Sequence, residues 1–179
     1  MRAMIQKLWS GYERLTAALG SLEPAALLLF RVWVAIAFWR AGVVKFEDPY
    51  GTSYLFNYSY HVPLLPPDAA AFLGTWIELV TPWFLGLGLL GRPTAAFLFV
   101  YNIIAVISYP DLWPHGFWHG LVGHDFSDHK VWAMMLLIVI ARGPGMLSID
   151  AILRRITGRR RMPAGGHAAA TSDPGRSGG

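Results

Sequence analysis

The chain has 179 residues, the length of a single domain, and 54% of them are hydrophobic while only 15% are charged. Soluble globular domains average roughly 45–50% hydrophobic and 25% charged residues, so the composition favours a membrane protein and excludes a disordered chain. Cysteine is absent, which excludes disulfides and thiolate-bound clusters. The net charge is +4, but five of the fifteen lysines and arginines lie between Arg154 and Arg161, directly after an apolar stretch, which favours a cytoplasmic membrane flank over nucleic acid as a partner.

The first twenty residues are predicted to form an amphipathic helix on the inner membrane surface. Apolar side chains recur there at helical spacing, and Lys7 and Arg14 lie on other faces. The segment lacks the uninterrupted apolar core and cleavage site of a secretory signal. The predicted organisation has three parts: an interfacial segment (1–20), a membrane domain (21–156) and a disordered basic tail (157–179).

Four apolar stretches make up the membrane domain. At 1.5 Å per residue they are long enough to cross, or nearly cross, a hydrocarbon core of about 30 Å. They are apolar on all faces, whereas a helix of a soluble protein carries one apolar stripe. The sequence therefore predicts an all-α, integral membrane four-helix bundle. The predicted spans are Pro24–Val44, Ala69–Gly91, Pro93–Pro110 and Val131–Ile149.

The charges between these spans predict the orientation of the chain. Lysine and arginine precede the first span, occupy the turn between the second and third, and follow the fourth. Loops 46–68 and 111–130 carry most of the acidic residues. Because basic residues are retained on the cytoplasmic side, both termini are expected to be cytoplasmic and these two loops to be outside.

Several sequence blocks resemble the DoxX family of small membrane proteins. They are Arg31, GVVKF (42–46), Glu78, GLGLLGR (86–92) and GPGMLSID (143–150), of which the last is the most specific. The resemblance covers residues 24–155. It implies a four-helix protein of the bacterial cytoplasmic membrane, linked to sulfur or thiol redox chemistry and to quinones. The related DoxD-like small subunit of thiosulfate:quinone oxidoreductase shares this four-helix plan.

Charged side chains within the spans define a candidate site. Arg31 and Glu78 lie near the middle of their spans, where an isolated charge costs at least about 2.5–3.5 kcal/mol. We therefore predict that Glu78 pairs with Arg31, Arg40 or both. Two interpretations stay open, a buried pair that fixes the helix register, or a polar site for an anion, a quinone head group or a proton.

Lys45 lies at the outer edge of the first predicted span. Its ammonium group either extends to the lipid head groups or adds a cation to an outward-facing vestibule. The predicted substrate-binding residues are accordingly Arg31, Arg40, Lys45 and Glu78.

The loop before the fourth span carries several histidines and aspartates. They are His115, His119, His124, His129, Asp111, Asp125 and Asp128. Imidazole and carboxylate groups bind transition metals, but no spacing here matches a known metal motif, and three glycines disfavour a regular helix. We predict no metal site and interpret these histidines as solvated side chains that titrate near neutral pH.

The sequence favours a membrane-embedded subunit or accessory protein of a bacterial redox system, linked to sulfur, thiol or quinone chemistry. It contains no dinucleotide-binding or phosphate-binding loop and identifies no catalytic residue. Quinone is the candidate cofactor, and the expected partners are the lipid bilayer, a redox protein and further copies of the chain. Two alternatives stay open, a non-catalytic scaffold for a soluble redox enzyme and a small transporter.

Overall fold

The structure, a computed structural model, describes residues 2–158, and within them the chain forms helices and turns but no strand. Residues 159–179, most of the predicted basic tail, lie outside the described residues. The helices are α1 (Arg2–Gly20), α2 (Glu23–Glu47), α3 (Pro49–Tyr58), α4 (Pro67–Leu87), α5 (Gly91–Ser108), α6 (Phe117–Val122), α7 (Ser127–Arg142) and α8 (Ile149–Ile156).

Four of these helices pack side by side in a ring. Helix α2 contacts α4 and α7, and α5 contacts the same two helices. The side chains between them form one apolar core, which includes Leu27, Val34, Phe38, Leu85, Leu98 and Leu136. Large apolar side chains also cover the outside of the ring, which is the surface expected of a protein surrounded by lipid rather than water.

Three helical segments of the described chain are long and apolar enough to cross a membrane, namely Met4–Glu47, Pro67–Leu87 and Gly91–Ser108. The predicted bounds of the fourth span, Val131–Ile149, are wrong, because α7 has 16 residues and ends at Arg142. Gly143 and Gly145 have φ angles of +87° and +81° on either side of a proline, and this backbone conformation cannot continue a helix.

One end of the ring, here named the turn end, joins α4 and α5 to the GPGMLSID block. The Asp150 carboxylate accepts hydrogen bonds from the N–H groups of Leu90 and Gly91 at 2.9 and 2.8 Å. The Asp150 N–H donates to the Gly88 carbonyl at 3.1 Å. A residue distant in sequence therefore satisfies the free N–H groups at the start of α5.

The opposite end, here named the loop end, contains α3 and the loops 59–66 and 109–126. The His61 N–H donates to the Ser108 carbonyl at 2.7 Å, which ties the first loop to the end of α5. The two loops that were predicted to share one side of the membrane therefore lie together. Lys45 is at this end of α2, whereas Arg31 is near the turn end.

Candidate ligand-binding site

A cavity of about 390 Å³ lies inside the ring near the loop end. Helices α2, α4 and α5 form most of its wall, and the rest comes from one residue of α3, two of α7 and five of the neighbouring loops. The wall is mainly apolar, with a small polar group made of Lys45, Glu78, Tyr101, Tyr60, Tyr109, Ser108 and His129. An apolar cavity of this size with a few convergent polar groups is typical of a small-molecule site.

Glu78 is the centre of the polar group. Glu78 is 6% exposed, and its Oε2 accepts a charged hydrogen bond from Lys45 Nζ at 2.5 Å. Its other oxygen, Oε1, accepts from the Tyr101 hydroxyl at 2.8 Å. The prediction that Glu78 pairs with Arg31 or Arg40 is therefore wrong, and Lys45 is the partner that neutralises its charge.

Gly42 explains why Lys45 reaches Glu78. A Cβ atom at position 42 would lie 2.8 Å from the Glu78 carbonyl carbon, so glycine is what lets α2 approach α4 at this level. Lys45 follows three residues later, on the same face of the helix. Pro82 has no N–H to donate to the Glu78 carbonyl, so α4 lacks one backbone hydrogen bond at this point.

The two arginines lie away from the cavity. Arg31 is completely buried near the turn end, where its guanidinium donates to the carbonyls of Leu27 and Leu147. Arg40 is on an exposed face of α2. Of the four predicted binding residues, the structure brings Lys45 and Glu78 together at the cavity, and neither arginine is part of its wall.

His129 is a cavity residue that sequence reasoning interpreted as a solvated loop histidine. The Asn102 amide nitrogen donates to the His129 carbonyl at 2.9 Å, and the Asn102 Oδ1 lies 2.8 Å from His129 Nδ1. Since Oδ1 can only accept, Nδ1 carries the proton, and Nε2 of the neutral ring is left as an acceptor. Asn102 is the one amide in an otherwise apolar predicted span, and a polar side chain in that position was the sequence feature that could have indicated a buried partner such as His129.

Two more polar groups line the cavity at the loop end. Burial raises the pKa of Tyr60, and the nearby Tyr109 and Glu78 raise it further, so its hydroxyl stays protonated and able to donate. Ser108 is 4% exposed, and within the described residues its Oγ has no hydrogen-bond partner. A buried hydroxyl without a partner is unfavourable, which points to a polar contact made by a bound molecule or water.

The exposure of lining residues on α4 and α5 indicates that the cavity opens sideways between these two helices. Four apolar residues on these helices line the cavity and are also 40–55% exposed on the outer surface: Leu73, Phe97, Val100 and Ile104. The opening therefore faces the apolar surroundings of the ring.

Residues 26–111 match the family model of DoxX. No curated protein and no solved structure matches the chain. The matched range includes Gly42, Lys45, Glu78 and Asn102, whereas His129 lies beyond it.

Proposed function

This chain belongs to the DoxX family, whose members are membrane-associated and often linked to redox systems, and on that premise we propose that it is a membrane-embedded subunit or accessory protein of a bacterial redox system that binds a quinone. The observation that carries this proposal is the apolar cavity with its sideways opening and its Glu78 network. The alternatives are a scaffold and a small transporter, and no contact within residues 2–158 favours either.

The proposed arrangement places α2, α4, α5 and α7 across the cytoplasmic membrane, with both termini inside and the loop end outside. The charges support it, because the turn end carries Arg92, Arg142 and Arg154, whereas aspartates predominate at the loop end. The exposed apolar residues of α1 suit a helix that lies on the inner leaflet.

Single cysteines test this orientation, because the chain has none of its own. In spheroplasts, a membrane-impermeant maleimide is expected to label His124→Cys directly and Thr157→Cys only after lysis. Both positions are exposed, so accessibility in the folded protein does not differ between them. Labelling of Thr157→Cys in intact spheroplasts would contradict the proposed orientation.

The size of the cavity is compatible with a quinone head group. Its volume of about 390 Å³ is at the small end of ligand sites, which run from about 300 to 1,000 Å³. The cavity has room for the ring system of a quinone, and its isoprenoid tail would leave between α4 and α5. A molecule that reaches the site through an apolar opening must itself be soluble in the bilayer, as quinones are.

The polar groups match the chemistry of a quinone. The Lys45 ammonium and the Tyr60 hydroxyl are donors for carbonyl oxygens, while Glu78 and His129 are groups that accept and release protons. Reduction of a quinone to a quinol needs two electrons and two protons. The chain has no cysteine with which to supply electrons, so in this proposal a partner redox protein provides them. Glu78 and His129 first take up the two protons from water and then pass them to the quinone.

Filling the cavity is expected to weaken quinone binding. Ala105→Leu places three more carbon atoms in the wall, and a steric cost of about 1–3 kcal/mol to the bound state corresponds to a loss of affinity of about 5-fold to 150-fold. The measurement is quenching of tryptophan fluorescence by a short-chain quinone in detergent, since Trp132 lines the cavity.

The matched control is Ala25→Leu, the same change at an exposed position of α2. Quenching should be unchanged in this variant and much reduced in Trp132→Phe. If Ala105→Leu and Ala25→Leu bind the quinone equally well, the ligand does not occupy this cavity.

A further inference from the structure

Three metal-ligating side chains converge at the loop end, outside the quinone cavity. The residues are His115, His119 and Asp125. Each offers one ligand atom, and these three atoms lie within 4.8 Å of one another. Asp125 Oδ2 is buried, and within residues 2–158 it has no hydrogen-bond partner. The sequence alone favoured no metal site, but from this geometry we infer that the three residues bind a divalent transition-metal ion of the Zn²⁺ class.

The loop that carries these residues is folded. The Phe117 and Phe126 rings stack at a centroid distance of 5.8 Å. Lys130 Nζ donates to the carbonyls of Gly120 and Gly123 at 3.0 and 2.6 Å, which satisfies the carboxyl end of α6. The ligands are therefore held near one another before any ion binds, and little conformational entropy is lost on binding.

Asp125 is pressed against α6. A Cβ atom at Gly120 would lie 3.0 Å from Asp125 Cβ and 2.7 Å from the Phe126 ring, so only glycine allows this approach. Phe126 itself has a φ angle of +39°, which is unfavourable for a residue with a side chain. The buried, unpaired carboxylate oxygen is the costly feature of this arrangement, and a bound cation would offset that cost.

The donor set indicates the class of ion. Two imidazole nitrogens and one carboxylate oxygen suit Zn²⁺ and its divalent neighbours, whereas Cu⁺ prefers thiolate and thioether ligands. Bonds of about 2.0–2.1 Å in a tetrahedral site place the donors about 3.3 Å apart. His115 and His119 are both exposed and can rotate to close the remaining gap, and a water molecule takes the fourth position.

Co²⁺ absorption tests the site directly. The full chain, purified in detergent without a histidine tag, is titrated with Co²⁺, and Zn²⁺ is then added as a competitor. We expect the visible bands of tetrahedral Co²⁺ at one equivalent and their loss on addition of Zn²⁺. His119→Ala and Asp125→Asn are expected to weaken binding by at least about tenfold, the lower limit for changes around metal sites.

His124→Ala is the matched control, since His124 is an exposed histidine of the same loop outside the cluster. It should bind Co²⁺ like the wild type, and circular dichroism should show equal helicity in all variants. Equal uptake by wild type and His119→Ala, or an equal loss in His124→Ala, would overturn the proposal. Neither result would affect the quinone proposal, because the three ligands are not part of the cavity wall.

Discussion

Replacing Gly88 with alanine is expected to destabilise the folded protein strongly. Gly88 has a φ angle of +68°, a conformation that costs other residues about 1–2 kcal/mol. An added Cβ would also lie 2.5 Å from Ser148 Cβ and overlap the Arg31 guanidinium. Overpacking of this kind adds about 1–3 kcal/mol, for a total loss of about 2–5 kcal/mol in the free energy of unfolding.

The neighbours of Gly88 have little freedom to move away. Arg31 is 0% exposed, and its guanidinium is held by the carbonyls of Leu27 and Leu147. Ser148 Oγ accepts from the Ala151 N–H at 3.2 Å and so begins α8. A shift of either residue would break a buried contact, so relaxation cannot absorb the added methyl group.

Two other glycines separate the causes of this effect. Gly116 also has a positive φ, +98°, but nothing lies within 4 Å of its Cβ position, while Gly11 lies inside a helix with equally open surroundings. Thermal unfolding in detergent should show no loss for Gly11→Ala, a small loss for Gly116→Ala and a large loss for Gly88→Ala. If Gly88→Ala is no worse than Gly116→Ala, close packing at the turn end is not the cause.

Neutralising only one member of the Lys45–Glu78 pair is expected to destabilise the protein more than neutralising both. Lys45→Met leaves the Glu78 carboxylate buried without its cation, and Glu78→Gln leaves an ammonium facing an apolar cavity. Removing one partner of a buried ion pair costs about 3–5 kcal/mol, whereas replacing both is often nearly neutral. We expect each single variant to lose about 3 kcal/mol of stability, the lower end of this range, because the Lys45 side chain is 19% exposed.

The four proteins of this double-mutant cycle are compared by thermal unfolding and by quinone quenching. We expect the double variant to recover its stability but not its affinity for the quinone. Binding of the quinone needs the charged groups, whereas the packing of α2 against α4 does not. Recovery of both would mean that the pair only fixes the helix register. Additive losses of stability would mean that Lys45 and Glu78 do not interact in the folded protein.

The sequence predicted the helical class, the turn between the second and third spans and the proximity of the two acidic loops, because each depends on local hydropathy or charge. It did not predict the partner of Glu78. The distance of a residue from the centre of its apolar stretch gives its depth in the membrane only if all spans are centred alike. In the structure Glu78 lies level with Gly42, which is eleven residues and about 16 Å along α2 from Arg31.

The histidine cluster was also beyond sequence reasoning. His115 and His119 are four residues apart in the sequence, but Asp125 joins them only because α6 ends at Val122 and the chain folds back over Gly120. That fold depends on Lys130, whose ammonium binds carbonyls seven to ten residues earlier. Contacts of this kind have no periodic signal in the sequence.

In the proposed function, the ligand dissolves in the bilayer and reaches the cavity through the opening inferred between α4 and α5. A ligand that enters from the bilayer is present there as a mole fraction of the lipid, and its amount in the surrounding water is of little consequence. Two cells with equal amounts of quinone but different membrane areas would then fill the cavity to different extents. The occupancy of the cavity would then follow the mole fraction of the ligand in the membrane. A dissociation constant expressed per litre of buffer does not contain this quantity.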